Sequence, residues 1–589
     1  MKPLLPALAL LASMAVQVHA GPGGPSRPHL ETRHGVRQLV VDGKPFLILG
    51  GELRNSSSSS REYMKISWPR LVEKKLNTVL AVVSWELIEP EEGKFDFSSV
   101  DGFIEGARKH KLKVVFLWFG SWKNGLSSYQ PYWVKTNPQR FPWAKNRDGK
   151  TLDILSTFSD ATYDSDAKAF AALMRHIRQV DGKEHTVLMV QVENEVGIRD
   201  DSRDRCPAAN EAFAKPVPKY LMRYLVRHKD TLAPELREVW AANGNKTSGN
   251  WEEVFGPGKP ASVKLWDKDL TQQDKDKLWR QLSWPVDEIF MAWRYSIFIN
   301  KVAAAGKAEY DIPMYANAWL QQPGCPRPGE YPSGGPVPQV HDIWRFGAPS
   351  LDFLSPDLYI PQFSETCERF TRNGNPLFIP EANTGDMAGA NALTALLKFN
   401  GIGFSPFGID GFGRRSTDTN SIPPPDSFAQ TYAILDYLAP AILANQGKGT
   451  IVFSQPTDDT NAPPQELKLG DYTLSVGPNT GGGFGGRGGF GDFRGFGGGP
   501  TVTNVSPARF VINSGPGEYV FVGGPITVTF TPNTPARGNV VLGSFDETML
   551  VDGRWVPGRR LNGDETDHSR RWPAMRSFGI YRYRVYQRQ

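Results

Sequence analysis

The segment TVLMVQVENEVG, residues 186–197, is an apolar run that stops at Glu193, Asn194 and Glu195. A carboxylate at the end of a buried strand is costly unless it is paired, hydrogen-bonded or put to chemical use. Other acidic residues hold comparable places: Glu52 after PFLILGG, Glu86 and Glu89 after NTVLAVVSW, Asp357 in LDFLSPDLY, Glu381 in PLFIPEAN and Asp410 after GIGFSPFGI. Each taken alone could be an ion-pair partner. Several of them converging on one aromatic-lined rim would suit glycoside hydrolysis, which needs a protonated and an ionised carboxyl on opposite sides of the bond to be cut. Aromatic faces would pack on sugar C–H surfaces, and Trp85, Trp118, Trp122, Trp133 and Trp319 are placed to be platforms or core.

Competing chemistries lack their residues. Only nine histidines occur, with no HExxH or paired-His motif, so no metal site is expected and no cofactor is implied. No G-x-S-x-G elbow is present. The first apolar run is followed by GGELRNSSSSS, which has no GxGxxG, so a dinucleotide-binding sheet is not indicated.

These acids need a scaffold that brings strand ends together. Eight short apolar runs can be counted, at 45–51, 77–85, 112–120, 186–194, 312–320, 351–359, 376–383 and 401–409. Between several of them lie amphipathic stretches such as SREYMKISWPRLVEKKL, DSDAKAFAALMRHIRQV, VDEIFMAWRYSIFINKVAAAGK and AGANALTALLKFN. Strands apolar on both faces and alternating with helices predict an α/β fold, a (β/α)8 TIM barrel over residues 21–446, with a doubly wound open sheet as the alternative. In a barrel the reactive groups stand at the C-terminal ends of the strands. A helical insertion around 199–285 follows the fourth strand on that side, where it could wall a cleft or be a surface excursion. From residue 447 to 589 short alternating strands predict a smaller C-terminal all-β, sandwich-like domain. Its Gly-rich stretch 481–499 reads as a flexible loop.

Composition narrows the partners. The 589-residue chain is 40% hydrophobic with a net charge of only +5, which does not by itself argue for nucleic acid. Residues 1–20 have the basic start, apolar run and small-x-small ending of a secretory signal peptide, so an exported protein, periplasmic or extracellular, is expected. No other run is apolar enough for an integral membrane segment in the mature chain. A carbohydrate substrate is the expected partner, and a homo-oligomer is open. Cys206, Cys325 and Cys367 are too few for a disulfide framework, though one pair with a free thiol would be allowed.

With these residues in place, QVENEVG resembles the Q-[IV]-E-N-E-[YF]-G signature of the glycoside hydrolase family 35 β-galactosidases, retaining enzymes built on a (β/α)8 barrel. WPRLVEKKLNTVLAVVSWELIEPEEGKFDFS is similar to the same family's segment from first helix to second strand, through Trp85, Glu89, Pro90, Gly93, Phe95 and Phe97. SWKNGLSSYQPYWV stands where the family has EW…GG.P.WL. The resemblance implies that Glu195 is the acid/base, Asn194 binds the sugar 2-hydroxyl and Glu381 is the nucleophile, with Tyr359 against it. Glu52, Glu86, Trp122 and Trp319 complete the expected substrate-binding set. One departure stands out: Ser121 occupies the place of a family glutamate used in sugar recognition, with Lys123 or Asn124 as replacement donors. That opens β-glucosides and β-glucosaminides beside β-galactosides, and a catalytically inactive carbohydrate-binding barrel is a reading from another class.

Strand parity adds one expectation. In a regular strand Glu193 and Glu195 share a face and Asn194 takes the other. Asn194 and Glu195 can both reach one ligand only if the backbone leaves strand geometry at or just before Asn194, with Glu193 then a supporting residue.

Overall fold

In a computed structural model of the chain, the described residues are 27–257, 285–385, 387–411, 427–454, 463–478, 509–524, 526–534, 539–561, 572–573, 575 and 578–588. The expected signal segment, the Gly-rich stretch 481–499 and residues 258–284 of the insertion lie outside them.

All eight apolar runs contain strands. They are β1 (Ile48–Glu52), β2 (Thr78–Ser84), β3 (Lys113–Lys123), β4 (Val187–Asn194), β5 (Met314–Trp319), β6 (Phe353–Leu358), β7 in two halves (Phe378–Ile379 and Glu381–Ala382) and β8 (Gly403–Phe404). Each is followed by a helix: α1 (Arg61–Glu73), α2 (Ser98–Lys109), α3 (Asp160–Asp181), α4 (Pro285–Glu309), α5 (His341–Gly347), α6 (Phe363–Phe370), α7 (Ala388–Leu393) and α8 (Ser427–Asn445). Neighbouring strands pair in parallel from β1 round to β8, and β8 pairs back with β1. This is the TIM barrel, with the ring completed through β7. Pro380 has no N–H to give to a ladder, so β7 divides there: its first half pairs with β8 and its second half with β6.

The strands are apolar on both faces because both are covered. Ile48, Leu80, Val115, Leu117, Met189, Tyr315, Phe353 and Phe378 fill the interior. The outer face meets the helices through residues such as Trp68, Phe103, Phe170 and Phe298. Helix α3 starts where the Ser159 side chain accepts from the Thr162 N–H, and its periodicity then turns Phe170, Leu173 and Ile177 inward. Each of these fully buried side chains contributes roughly 1.5–3 kcal/mol by leaving water.

The N-terminal part of the barrel region was not legible as structure. Residues His29–Arg33, Val36–Val41 and Lys44–Phe46 form a three-stranded antiparallel sheet whose Leu39 and Val41 join the barrel's inner core. Its Asp42 meets His185, just before β4, at 2.6 Å, and Arg27 meets Asp311, just before β5, at 2.6 Å. The sheet therefore covers the mouth at the N-terminal ends of the strands.

The insertion after β4 holds helices Pro207–Ala214, Lys219–Arg227, Pro234–Ala242 and Trp251–Phe255. It is anchored to the barrel's outer helices: the Ala233 N–H donates to Asp342 on α5 (2.7 Å), Arg205 pairs with Asp287 on α4 (2.8 Å), and Glu235 pairs with Arg369 on α6. An antiparallel pair, Trp143–Lys145 with Thr151–Leu155, leaves β3 on the same side and meets the insertion through Lys145 N–H to Asp204 (3.1 Å).

From Ile451 onward the described elements are all β. Six strands form one sheet and three another, enclosing a core that includes Leu474, Phe521, Phe530 and Tyr583. Phe510, Ile512, Val520 and Val522 of the larger sheet join the barrel's outer core. Tyr437 of α8 donates to the Leu550 carbonyl (3.0 Å) and accepts from the Leu550 N–H (2.9 Å). Cys206, Cys325 and Cys367 are all free thiols. Among the described residues no helix is long and apolar enough to cross a membrane.

Candidate active site

The strand end that carries Glu193, Asn194 and Glu195 is irregular, as parity requires. Glu193 has φ +62° and Glu195 has φ +44°, left-handed values that cost a non-glycine residue about 1–2 kcal/mol each. The neighbouring strand yields in step. Trp118 is opposite Val192, but the next partner pair is Lys123 with Asn194, so β3 spends five residues where β4 spends two. The surplus residues of β3 wrap the Glu193 carboxylate, which accepts from the N–H groups of Gly120 (3.2 Å), Ser121 (2.9 Å) and Trp122 (2.8 Å). A Cβ at residue 120 would run into Glu193 and Trp118, which is why glycine stands there. Behind them Asp166 of α3 accepts from the Trp118 indole (2.9 Å) and the Ser121 hydroxyl (2.5 Å). Burial first, then the adjacent Asp166, pushes the Glu193 carboxyl well above the usual range, against the lowering effect of the Trp122 and Ser121 N–H groups. Glu193 therefore faces the layer between strand and helix, while Asn194 and Glu195 face the barrel mouth.

There the carboxyl groups converge. One oxygen each of Glu195, Asp357 and Glu381 lies within 4.8 Å of the others, and all three residues are buried. Glu381, directly after Pro380, accepts from the Tyr359 hydroxyl (2.8 Å) and the Asn194 amide (3.4 Å). Glu195 accepts from Asn124 Nδ2 (3.1 Å), and its other neighbours are the Lys123 ammonium at 3.5 Å and Asp357. Lys123 Nζ donates to Asn194 Oδ1 (2.6 Å), which leaves the Asn194 amide nitrogen turned toward Glu381. Asn317 on β5 ties two strands together, accepting from the Glu195 N–H (3.0 Å) and donating to Asp357 (2.7 Å).

So many acids in one place cannot all ionise. Burial and the charges of Glu381 and Glu195 push Asp357 well up, and burial with Glu381 does the same to Glu52. Glu381 is raised to about 7 by burial and by Glu195, against the lowering effects of Lys123, Tyr359 and Asn194. Burial would lower Lys123, but Glu195, Glu381, Glu52 and Asp357 outweigh it and keep the ammonium charged. The site thus holds a buried cation among acids that share fewer charges than carboxyls. Among the described residues these three carboxyl oxygens are the group close enough to be offered to a metal ion, and the Lys123 ammonium stands beside them as a positive charge.

The structure sorts the expected residues. Asn194, Glu195, Glu381 and Tyr359 meet in one cluster, and Glu52 faces it from β1, within electrostatic reach of Glu381 and Glu195. Trp319 ends β5 half-buried, with the Arg199 guanidinium 4.7 Å over its ring. Glu86 lies on the rim in an ion pair with Lys135 (3.1 Å). Trp122 corrects an expectation: only 3% exposed, it packs edge-on against Tyr295 and Phe298 of α4 and donates to the Leu155 carbonyl (3.1 Å), so its ring has no face for a ligand. The bulge in β3 is the reason, since it turns Trp122 outward and Lys123 inward. Trp85 and Trp118 are likewise fully buried, their indoles spent on Glu89 and Asp166. Sequence reasoning missed Asn317 and left Asp357 without a role, although Asp357 was visible as a strand-end acid.

Parts of the chain are similar to known proteins. A family model described as β-galactosidase, of the glycoside hydrolase family 42 type, matches residues 56–320, and a domain of unknown function matches residues 428–573. The family 42 type model is what matches here, rather than one for family 35. The first match runs from just before α1 to just after β5, so it contains Glu195 but not Glu381. A β-galactosidase of Xanthomonas manihotis is 31% identical over 173 residues, covering 28% of this chain and 26% of that protein. A human protein named β-galactosidase-1-like protein 3 is 26% identical over 220 residues, covering 36% of this chain and 31% of that protein. The chain therefore spans about a quarter to a third of these relatives. Among solved structures, the catalytic domain of β-amylase from Paenibacillus polymyxa aligns with a TM-score of 0.44 at 11% identity, covering 66% of this chain and 98% of that one.

Proposed function

We propose that this β-galactosidase-like barrel is a retaining exo-β-glycosidase that releases terminal β-galactose from oligo- or polysaccharide by double displacement. The observation that carries the reading is the approach of the Glu195 and Glu381 carboxyl oxygens to within 4.8 Å. Carboxyls about 5 Å apart leave no room for a water between the second carboxylate and the anomeric carbon, so that carboxylate attacks directly, whereas inverting enzymes keep theirs roughly 6.5–9.5 Å apart.

Glu195 gives its proton to the departing glycosidic oxygen while a Glu381 oxygen bonds to the anomeric carbon, displacing the aglycone as an alcohol. Tyr359 and Asn194 hold Glu381 in line, and the Asn194 amide is placed for the sugar 2-hydroxyl. In the second step Glu195, now ionised, takes a proton from water, whose oxygen replaces Glu381 at the same face from which the aglycone left. Configuration is thereby retained. Lys123 and Asn124 stabilise the ionised Glu195 between the steps. Release from chain ends, and export under the N-terminal segment, belong to the same proposal.

Another β-linked sugar, glucose or glucosamine, is the second reading. It is favoured by Ser121, whose hydroxyl is committed to Asp166 inside the protein, so the β3 loop offers the ligand Lys123 in place of an acid. The test is incubation with 2-deoxy-2-fluoro β-glycosides of galactose, glucose and other configurations, followed by peptide mass analysis. A covalent sugar on the Glu381 peptide is expected, fastest with the galactoside. Absence of label with every configuration rejects the hydrolytic reading and leaves a carbohydrate-binding barrel. A panel of aryl β-glycosides then ranks the sugars.

A further inference from the structure

Buried carboxyls in this protein are well provided for, with one exception. Asp181 accepts from Arg108 (2.5 Å) and the Val187 N–H (2.7 Å), and Asp410 from Ser57 (2.8 Å) and Tyr63 (3.2 Å). Glu288 accepts from Tyr331 (2.6 Å) and Gln339 (3.3 Å). Glu52 is buried just as fully, at 1% exposure, yet neither of its carboxyl oxygens has a hydrogen-bond partner among the described residues. It is alone in this among the buried acids of the described residues, since Asp357 lacks a partner at one oxygen only.

Its position is fixed by backbone. The Glu52 N–H donates to the Pro406 carbonyl (2.8 Å), and Gly50 and Gly51 before it lie so close to Ser405, Leu76 and Ile409 that a Cβ on either would collide. Ile48, two turns of the pleat before it, faces the barrel interior, so alternation turns Glu52 inward at the rim. The charged groups around it are Glu381 from β7, Lys123 from β3 and Glu195 from β4. A buried carboxyl without a partner costs on the order of 1–3 kcal/mol, more if ionised, and a structural role gives no return for that cost. Burial and the neighbouring acids keep it neutral, and a neutral carboxylic acid both donates and accepts. A sugar hydroxyl does the same.

We propose that Glu52 is a specificity-determining residue whose carboxyl hydrogen-bonds the 3- or 4-hydroxyl of the sugar held between Glu195 and Glu381. The assignment rests on the functional reading above. Asn194 is already assigned to the 2-hydroxyl, and Glu52 shares its surroundings with Glu381, Lys123 and Glu195, which leaves the 3- and 4-hydroxyls for it to meet. Contact at the 4-hydroxyl would make Glu52 the group that reads galactose against glucose.

The test compares kcat/KM for wild type, Glu52→Gln and Glu52→Leu on 4-nitrophenyl β-galactoside and its 3-deoxy, 4-deoxy and 6-deoxy forms. Wild type is expected to lose about 10²-fold or more when the contacted hydroxyl is removed, because a buried polar group is then left unpaired. In Glu52→Leu the same deletion should cost less than about threefold, with Glu52→Gln between, while the 6-deoxy penalty matches wild type. Each penalty is a ratio within one variant, so loss of folded enzyme cancels, and Glu52→Gln carries the test if Glu52→Leu does not fold. Equal 3-deoxy and 4-deoxy penalties in wild type and both variants overturn the assignment. If wild type hydrolyses no aryl glycoside, the functional reading fails separately. Calorimetric binding of galactose, 3-deoxygalactose and 4-deoxygalactose to the same proteins then decides Glu52 by the same ratios, and no binding to wild type overturns it too.

Discussion

Two acidic clusters lie on either side of β4, their glutamates separated by a single residue, Asn194. The outer one, Glu193 with Asp166, is closed: three backbone N–H groups, an indole and a hydroxyl converge on it. The inner one, Glu195, Asp357, Glu381 and Glu52, holds four carboxyls, has a lysine for its cation and leaves three carboxyl oxygens without partners among the described residues. The outer cluster has everything it can use and sets the shape of the β3 bulge. The inner cluster is incomplete as a piece of protein, which is the condition of a site that expects a ligand.

That contrast can be broken at either cluster. The largest effect is expected at Glu381. Glu381→Gln should reduce kcat by roughly 10⁴-fold or more, with thermal stability unchanged or raised, because a buried charge is removed along with the proposed nucleophile. Steady-state kinetics and a melting curve on one preparation read both; substantial residual turnover would transfer the nucleophile's role elsewhere.

The outer cluster should answer in the opposite currency, stability before turnover. Glu193→Ala orphans three buried N–H groups and is expected to cost about 3 kcal/mol by denaturant unfolding. Glu193→Gln should cost less. Glu193 is held above its unfolded value, so the folded state binds more protons between the two values, and wild-type stability declines as pH rises through that window. The glutamine variant lacks that decline, and its deficit should shrink as pH rises. A deficit independent of pH would mean that Glu193 is not held above its unfolded value.

Lys123 links the clusters, since it leaves the bulge to meet Asn194 and Glu195. Glu381 must be ionised to attack, so activity should rise with pH through about 7. Lys123 lowers Glu381, so Lys123→Met should move the acidic limb of kcat/KM to higher pH by about one unit. An unmoved limb would separate Lys123 from the titration of the Glu195 and Glu381 pair. The smallest effect belongs to Trp122. Trp122→Phe gives up one hydrogen bond in the strand-helix layer, about 1 kcal/mol of stability, and should leave KM within a factor of about two.

The sequence made the barrel readable because β/α alternation and two-faced apolar strands are local signals. Glu195 and Glu381 were readable as acids at strand ends, where a barrel keeps its reactive groups, while Asn194 and Tyr359 were expected through the family resemblance. Even the departure of β4 from regular geometry followed from parity. What stayed hidden depends on the answering bulge in β3, a contact between strands separated by about 70 residues. Simple alternation along β3 cannot foresee that Trp122 turns out and Lys123 turns in. Asn317 was hidden for a related reason, as a polar residue within a strand whose partners come from β4 and β6. The N-terminal sheet was overlooked because short polar and apolar residues in a hairpin carry little period.

That sheet has a consequence for traffic. With Leu39 and Val41 seated in the lower mouth, that end of the barrel is filled, and access to Glu195 and Glu381 is left to the opposite rim. In the proposed two-step reaction, the departing aglycone and the incoming water then use one doorway in turn. The first must clear the threshold before the second can reach the ester, and any alcohol waiting there competes with water on equal terms of access.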